Sequence, residues 1–295
     1  MKKSKCIEAS KKANLTEADL LKLTKTAKDA AQRGGEVLMA HLGKIKSLNS
    51  KSNEGDLVTN ADLAAEDIIL NFLNKSTPHI SILSEESGLT GCHEGLKWCV
   101  DPLDGTTNFA HGYPFFATSI GLTWNSIPIL GCIEVPFLRE TYWGCPGIGA
   151  FCNDKALSVS STKKLSESLM VTGFAYDRKT RLDNNYAEFC TLTHISRGVR
   201  RGGAAAVDLA FMAAGRVDAY WERGLAPWDL AAGVPIVELA GGEVSDYRGM
   251  EFDLNKGKIL ACSPGIKTAL ITVLKNVKPL KGEMFGAPEV TTIGT

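Results

Sequence analysis

The amino-acid sequence predicts an α/β protein of the α+β kind, with helices and an antiparallel sheet followed by alternating strands and helices. Three observations predict it. Apolar residues recur at helical spacing from residue 16 to about 43 and again from 59 to 78. Short apolar runs bounded by turn residues fill 80 to 159, and strand-sized and helix-sized blocks alternate after 165. No repeat or low-complexity linker divides the 295 residues, and 44% hydrophobic content can bury a large core, as one big domain or two intimate halves. The expected organisation is an N-terminal extension (1–15), a half of helices plus antiparallel sheet (16–160), an α/β half (161–276) and a tail (277–295).

In chain order, Thr16 and Asp19 form a capping box, and Leu20, Leu23, Ala27, Ala31, Gly34 and Leu38 carry one long helix to Gly43. Polar residues 47–56 read as a loop. A second helix starts near Thr59, is expected to bury Ala65, Ile68, Ile69 and Phe72, and stops before Pro78. Strands at 80–83 and 97–100 hand directly to acids, Glu85 and Glu86 after the first and Asp101 after the second. Residues 115–135 read as two strands around Asn125-Ser126, and 140–159 as further antiparallel strands around Asn153-Asp154. After 165 come strand LMVTGF, a helix at 184–194, strand GVRR, helix AAAVDLAFMAAG, strand VDAYWE, helix DLAAGVPIVELAGG, strand EVSD, strand KILAC and a helix at 264–276. That alternation is α/β layering. The tail has little apolar period and is expected to be loosely ordered.

Composition narrows the function. With 33 basic against 33 acidic residues and a pI near 6.9, no overall field draws the chain to nucleic acid or an anionic membrane. The apolar runs fall short of the roughly 18 residues of a membrane span, and the lysine-rich start lacks a signal-peptide core. A cytoplasmic setting is expected, or an organelle stroma after loss of a transit segment. The eight cysteines are scattered without a CxxC pair, so they are expected as reduced, buried core thiols rather than a disulfide framework or a zinc site.

The chemistry concentrates in WCVDPLDGTTNF, residues 98–109. Asp-Pro and Asp-Gly are ordinary turn formers, so the bland reading is a helix-capping turn. An EF-hand is excluded by Pro102, a P-loop by the missing GxxxxGK[ST], and a dinucleotide fingerprint by the offsets of Gly147 and Gly149. The functional reading starts from hard oxygens: Asp101, Asp104 and the Leu103 carbonyl on one stiff turn suit Mg²⁺. Gly105, Thr106 and Thr107 then open a short helix whose free N–H groups suit an anion. A cation nest beside a phosphate nest is a phosphatase layout. Three more acidic sites are weak alone: Glu85 with Glu86 in SEESG, Asp229 in PWDL, which reads as a cap, and Asp62, which reads as the partner of Thr59's cap.

Together these segments resemble the inositol monophosphatase-like, Mg²⁺-dependent and lithium-sensitive phosphatases. WCVDPLDGTTNFAHGYPFFATSIGL is similar to that family's first signature and PWDLAAGVPIVELAGG to its second. DLVTNAD, LSEES and RRGGAAAVDLAFMAAGRVDAYWERG stand in the expected order, so the resemblance spans roughly 16–275, closest to bacterial, cyanobacterial and plastid-type members. It implies the layered α/β/α/β/α sandwich of the sugar-phosphatase fold. It implies one Mg²⁺ on Glu85, Asp101 and the Leu103 carbonyl, a second on Asp101, Asp104 and Asp229, and a weaker third on Glu85 with water. It implies Glu85, Thr106 and Asp62 as catalytic residues, with a metal-polarised water passing its proton toward Thr106 and Asp62. The phosphate would rest on Gly105 and Thr106, while Gly203, Ala204, Ala205 and Glu222 line the leaving-group pocket with Asp104 and Asp229, and Lys51 supports the metal site.

The implied partner is a small phosphorylated polyol, foremost myo-inositol 1-phosphate, and the implied assembly a homodimer. Histidinol-phosphate, fructose-1,6-bisphosphate and 3′-phosphonucleotide phosphatases share the metal site, and a regulatory protein on the same fold is the reading from another class. Thr107-Asn108 favours the inositol branch over the histidinol one. Ala204 stands where animal enzymes carry threonine and Tyr176 where they have serine, so the departures touch the substrate more than the reaction.

Overall fold

A computed structural model describes residues 4–44, 48–50 and 57–280. The N-terminal stretch contains a helix the sequence reading left out, α1 (Lys5–Lys12), which buries Cys6, Ala9 and Ser10 and is tied down by Ser4 Oγ donating to Glu238 Oε2 at 2.7 Å. Helix α2 (Glu17–His41) starts at the expected capping box, with Asp19 N–H on Thr16 Oγ1 and Thr16 N–H on Asp19 Oδ2. All six apolar positions read for it are buried.

The expected 47–56 loop is corrected at its start: β1 (Leu48–Ser50) pairs antiparallel with β2 (Leu57–Thr59), while Lys51 and the rest of that segment lie outside the described residues. Helix α3 (Asn60–Ser76) is capped by Thr59, as read. Its buried stripe is corrected too. Ala61, Ala65, Ile69 and Leu73 recur every fourth residue and face the core, which turns Ile68 outward at 42% exposed and leaves Phe72 half-buried under the Arg33 guanidinium.

The large sheet follows: β3 (Ser81–Ser84), β4 (Gly88–Thr90), β5 (Leu96–Asp104), then, after the one-turn α4 (Thr106–Ala110), β6 (Ala117–Trp124), β7 (Ile127–Val135), β8 (Glu140–Cys145), β9 (Gly149–Cys152) and β10 (Lys155–Ala156). Its order is β10-β9-β8-β7-β6-β5-β3-β4, antiparallel except for β3 beside β5. The turns fall at Asn125-Ser126 and Asn153-Asp154, where Asn125, Ser126 and Asn153 take positive φ. Strand β4 was missed because GLT is too short to show a period.

The second sheet draws on β11 (Leu169–Thr172), α5 (Tyr186–Ile195), β12 (Gly198–Arg201), α6 (Ala205–Ala213), β13 (Ala219–Arg223), α7 (Pro227–Leu230), α8 (Gly233–Leu239), β14 (Glu243–Ser245), β15 (Lys258–Cys262) and α9 (Lys267–Asn276). Its order is β12-β11-β13-β15-β14, the first three parallel. The single helix read over 229–242 is in fact two, because Pro235 has no N–H and its ring crowds the carbonyl one turn back, breaking the run at Ala231-Ala232.

Three apolar clusters define the layers. Helices α2 and α3 cover one face of the large sheet around Leu38, Ile69, Trp98 and Ile120. The other face packs on α6, α7 and α8 through Tyr142, Leu209, Leu230 and Ile236, whose far side meets Tyr220 and Ile259 of the small sheet. Leu192 of α5 with Leu270 and Leu274 of α9 close the small sheet's outer face. The result is the expected α/β/α/β/α sandwich. All eight cysteines are free, but not all are buried: Cys92 follows β4 in an exposed turn and Cys190 lies on the solvent side of α5. Among the described residues no helix is long and apolar enough to cross a membrane. Residues 281–295, most of the segment read as loosely ordered, lie outside the described residues.

Candidate active site

A cavity of about 260 Å³ opens where the strand exits of both sheets meet. From the large sheet, β3 and β5 run parallel, so Glu85 and Asp101 emerge side by side, with Glu85 N–H on the Val100 carbonyl at 3.1 Å. Strand β5 then bulges: Asp101 pairs with Ser119 and Asp104 with Ala117, three steps against two. Pro102 has no N–H to lose there, and Asp101 Oδ1 takes the Leu103 N–H at 3.0 Å. The bulge keeps Asp101, the Leu103 carbonyl end and Asp104 on the cavity wall. Gly105 follows at φ +89, where any Cβ would meet the Phe115 carbonyl at 3.0 Å and Ala204 Cβ at 3.1 Å. Glycine therefore keeps the start of α4 open to the cavity.

Asp62 is placed differently from the other acids. It does not line the cavity but lies beneath it, 1% exposed, with Oδ2 holding Thr59's N–H and hydroxyl at 2.8 and 2.6 Å. Its Oδ1 stands 3.1 Å from Thr106 Oγ1, which is equally close to the Leu103 carbonyl. The capping and functional readings of Asp62 are thus compatible, one oxygen serving each.

The small sheet contributes the carboxyl ends of its three parallel strands, where α/β ligands bind in general. Past β11, Gly173 to Tyr176 form one wall; Arg201 ends β12 and Gly203 to Ala205 follow it; Glu222 is the next-to-last residue of β13. A Cβ on Gly173 would lie 2.2 Å from Glu222 Oε2, so only glycine admits that carboxylate. Asp104 ties the two sheets, accepting the Ala205 and Ala206 N–H groups at 3.1 and 2.7 Å at the start of α6. Asp229, third residue of α7, accepts the Ala226 N–H at 2.7 Å, so the cap reading holds for one of its oxygens while the residue also lines the cavity. Its helix sits almost on the large sheet because Gly121 and Gly131, facing each other across β6 and β7, would otherwise drive a Cβ to 2.5 and 2.3 Å from the Ala231-Ala232 backbone.

Glu85, Asp101, Asp104, Asp229 and Glu222 thus share one cavity. Burial, then the charges of Glu85, Asp104 and Asp229, pushes Asp101 well above the usual carboxylate range. Burial pushes Asp104 up to about 7 against the lowering pull of the Ala206 and Ala205 N–H groups. Asp229 is raised by desolvation, Glu85 and Asp104, and Glu222 is pushed up to about 7 by burial. Among the described residues Arg201 is the one cationic side chain on the wall. Carboxylates crowded this way fit a hard divalent cation, which would relieve their repulsion. They are not drawn into a closed cage: no three acidic, His or Cys side chains among the described residues surround one point, Asp104 and Asp229 lean on backbone N–H groups, and Asp101 shares a hydrogen bond with Glu85.

The sequence reading did not single out Arg201, Phe174, Leu225 or Trp228 as wall residues, nor Asn108, whose amide bridges the Phe115 and Gly202 carbonyls at 2.7 and 3.1 Å. The available signal was the placement of GVRRGG and LMVTGFAY at strand exits. Lys51 lies outside the described residues.

A model of the inositol monophosphatase family matches residues 19–278. The chain belongs to the inositol monophosphatase family. As such it is a phosphatase, a phosphoric monoester hydrolase, in a family that is generally metal-dependent. It is 46% identical over 267 residues to an inositol-1-monophosphatase of Synechocystis sp., covering 90% of this chain and 93% of that one. It is also 41% identical over 254 residues to the Nus factor SuhB of Pseudomonas aeruginosa, covering 83% and 93%. The solved inositol monophosphatase of Anabaena superposes with a TM-score of 0.82 at 46% identity, covering 89% of this chain and 98% of that one.

Proposed function

We propose that this chain is a Mg²⁺-dependent phosphomonoesterase acting on myo-inositol 1-phosphate or a closely similar small polyol monophosphate. The observation that carries the reading is the meeting of Glu85, Asp101, Asp104 and Asp229 in one cavity with the open start of α4 at Gly105 and Thr106. Glu85, Asp101 and the Leu103 carbonyl would hold one Mg²⁺, with Asp101, Asp104 and Asp229 holding a second. When bound, the ions supply Lewis-acid polarisation of the phosphoryl group and of the attacking water.

The chain's own groups do the rest. Gly105 and Thr106 present N–H groups to the phosphate at a helix start. Thr106 Oγ1, 3.1 Å from Asp62 Oδ1, can give its proton to Asp62 while accepting one from the incoming water. Burial raises Asp62 above the ordinary aspartate range against its Thr59 bonds, which improves it as a proton acceptor. Glu222 offers two acceptor oxygens to neighbouring polyol hydroxyls, one of them shared with the Tyr220 hydroxyl at 2.8 Å. The test is phosphate release from inositol monophosphates, histidinol phosphate, fructose 1,6-bisphosphate and 3′-phosphonucleotides, with and without Mg²⁺. Metal-dependent release favouring inositol 1-phosphate is expected, and comparable rates on all of them would sink the narrow substrate.

A second reading, in which the fold also works through a macromolecular partner, is favoured by the 41% identity to a protein named as a Nus factor. Capture of RNA polymerase by both the wild-type and the Asp104→Asn protein would separate that role from catalysis. A homodimer in a cytoplasmic or stromal setting completes the proposal, and light scattering tests the assembly.

A further inference from the structure

Arg201 ends β12 on the leaving-group side of the cavity, exposed at its mouth. Its guanidinium lies against Gly203: a Cβ there would come 2.5 Å from Nη1, and Gly203 is at φ +87, where glycine is the easy residue. The Gly203 carbonyl in turn stands 3.4 Å from where a Cβ of Gly105 would be, so Arg201 and the start of α4 are separated by little more than one residue of backbone. Two carboxylates feel the Arg201 charge, Glu222 and the buried Asp208. Neither is bonded to it. Glu222 takes the Tyr220 hydroxyl, Asp208 Oδ2 has no partner, and among the described residues Arg201 forms no side-chain hydrogen bond or ion pair. A guanidinium that served only to neutralise those acids would dock on them, since its planar fork matches a carboxylate. This one lines a cavity whose other charged side chains, among the described residues, are all acids.

We infer that Arg201 is a specificity-determining residue that binds a second anionic group on the leaving-group side, so that phosphorylated polyols or sugars carrying another phosphate or a carboxylate are accepted beside inositol 1-phosphate and ahead of their own singly charged counterparts. The inference rests on the phosphatase reading of the cavity and extends its substrate class beyond the neutral polyol monophosphates. A neutral polyol satisfies Glu222 but leaves the guanidinium with water alone, whereas a doubly anionic substrate satisfies both.

The experiment compares matched pairs: fructose 1,6-bisphosphate with fructose 1-phosphate, and 6-phosphogluconate with glucose 6-phosphate. In wild-type protein the doubly anionic member of at least one pair should have the higher kcat/KM, and the pair that shows it identifies phosphate or carboxylate as the group bound. Arg201→Ala should lower that kcat/KM ratio about tenfold or more, chiefly through KM, and Arg201→Lys should restore part of it. A ratio unchanged by Arg201→Ala, or a wild-type preference for the singly charged member of both pairs, overturns the inference. If Arg201→Ala does not fold, Arg201→Gln carries the same comparison. Release from none of the four while inositol 1-phosphate is still hydrolysed also overturns the inference, whereas no release from inositol 1-phosphate either would mean that the phosphatase reading had failed. The same compounds are then titrated calorimetrically in Mg²⁺, where tighter binding of the doubly anionic member, weakened by Arg201→Ala, supports the inference and equal binding overturns it.

Discussion

Asp62 divides a helix-capping role and the proposed catalytic one between its two oxygens. Oδ2 closes the cap of α3 on Thr59, and Oδ1 fixes the Thr106 hydroxyl. In Asp62→Asn one of those acceptors becomes an NH₂ donor. If the amide oxygen stays on Thr59, the cap survives and Thr106 loses its acceptor; the flipped amide costs about 1 kcal/mol of capping instead. Because Asp62 does not line the cavity, substrate affinity should hardly change. The expected outcome is a kcat lower by about 100-fold with KM within a few fold, measured by steady-state phosphate release. Thr106→Ser keeps the hydroxyl and should retain most activity, whereas Thr106→Ala should resemble Asp62→Asn. A KM change as large as the kcat change would place Asp62 in binding rather than proton transfer.

At the scale of elements, the acidic turn depends on how closely α7 and α8 approach the large sheet. A methyl on Gly131 would meet Ala232 O at 2.3 Å and its Cα at 2.4 Å, backbone atoms that cannot swing aside. Gly131→Ala should therefore cost about 1–3 kcal/mol in urea unfolding and, by shifting the helix that carries Asp229, raise the Mg²⁺ concentration needed for half-maximal activity. Loss of stability with an unchanged Mg²⁺ requirement would show that α7 finds its place without this seat. The same elements mark the limits of sequence reading. Helices α2 and α3 were legible because their caps are local: Thr16 with Asp19 and Thr59 with Asp62 need no tertiary partner. The α7 and α8 pair reads as one helix because its apolar period runs on through Pro235; the proline ring sets the break at Ala231-Ala232, and what the sequence does not show is that this break is seated on Gly121 and Gly131. The acidic turn could be read within twelve residues of sequence. Arg201 and the Gly173 to Tyr176 wall could not, because they meet the turn only across two sheets.

For the whole molecule, the five layers bring acids from distant parts of the chain into one desolvated space, and this ties stability to pH and to cation. Asp101, Asp104, Asp229 and Glu222 all have folded pKa values raised by burial, Asp104 and Glu222 to about 7. The sign follows from linkage: a carboxyl that holds its proton more tightly when folded favours folding below its unfolded pKa, and loses that contribution as pH rises through the folded one. In the absence of divalent cation, stability should therefore fall between about pH 4 and pH 7 on account of this cluster. A cation that binds the ionised, folded cluster reverses the trend, because protons compete with it at low pH and release the site at high pH. At a concentration about 100 times its dissociation constant it adds about 2.7 kcal/mol, or roughly 5–10 °C in melting temperature for a chain of this size. Thermal melts at pH 5 and pH 8, each with and without Mg²⁺, check this. A small increment at pH 5 and one of several degrees at pH 8 is expected, and Asp101→Asn should reduce the difference between them. Equal increments at both pH values would mean that the cation binds outside the carboxylate cavity, and no increment at pH 8 would remove the physical basis for placing it there.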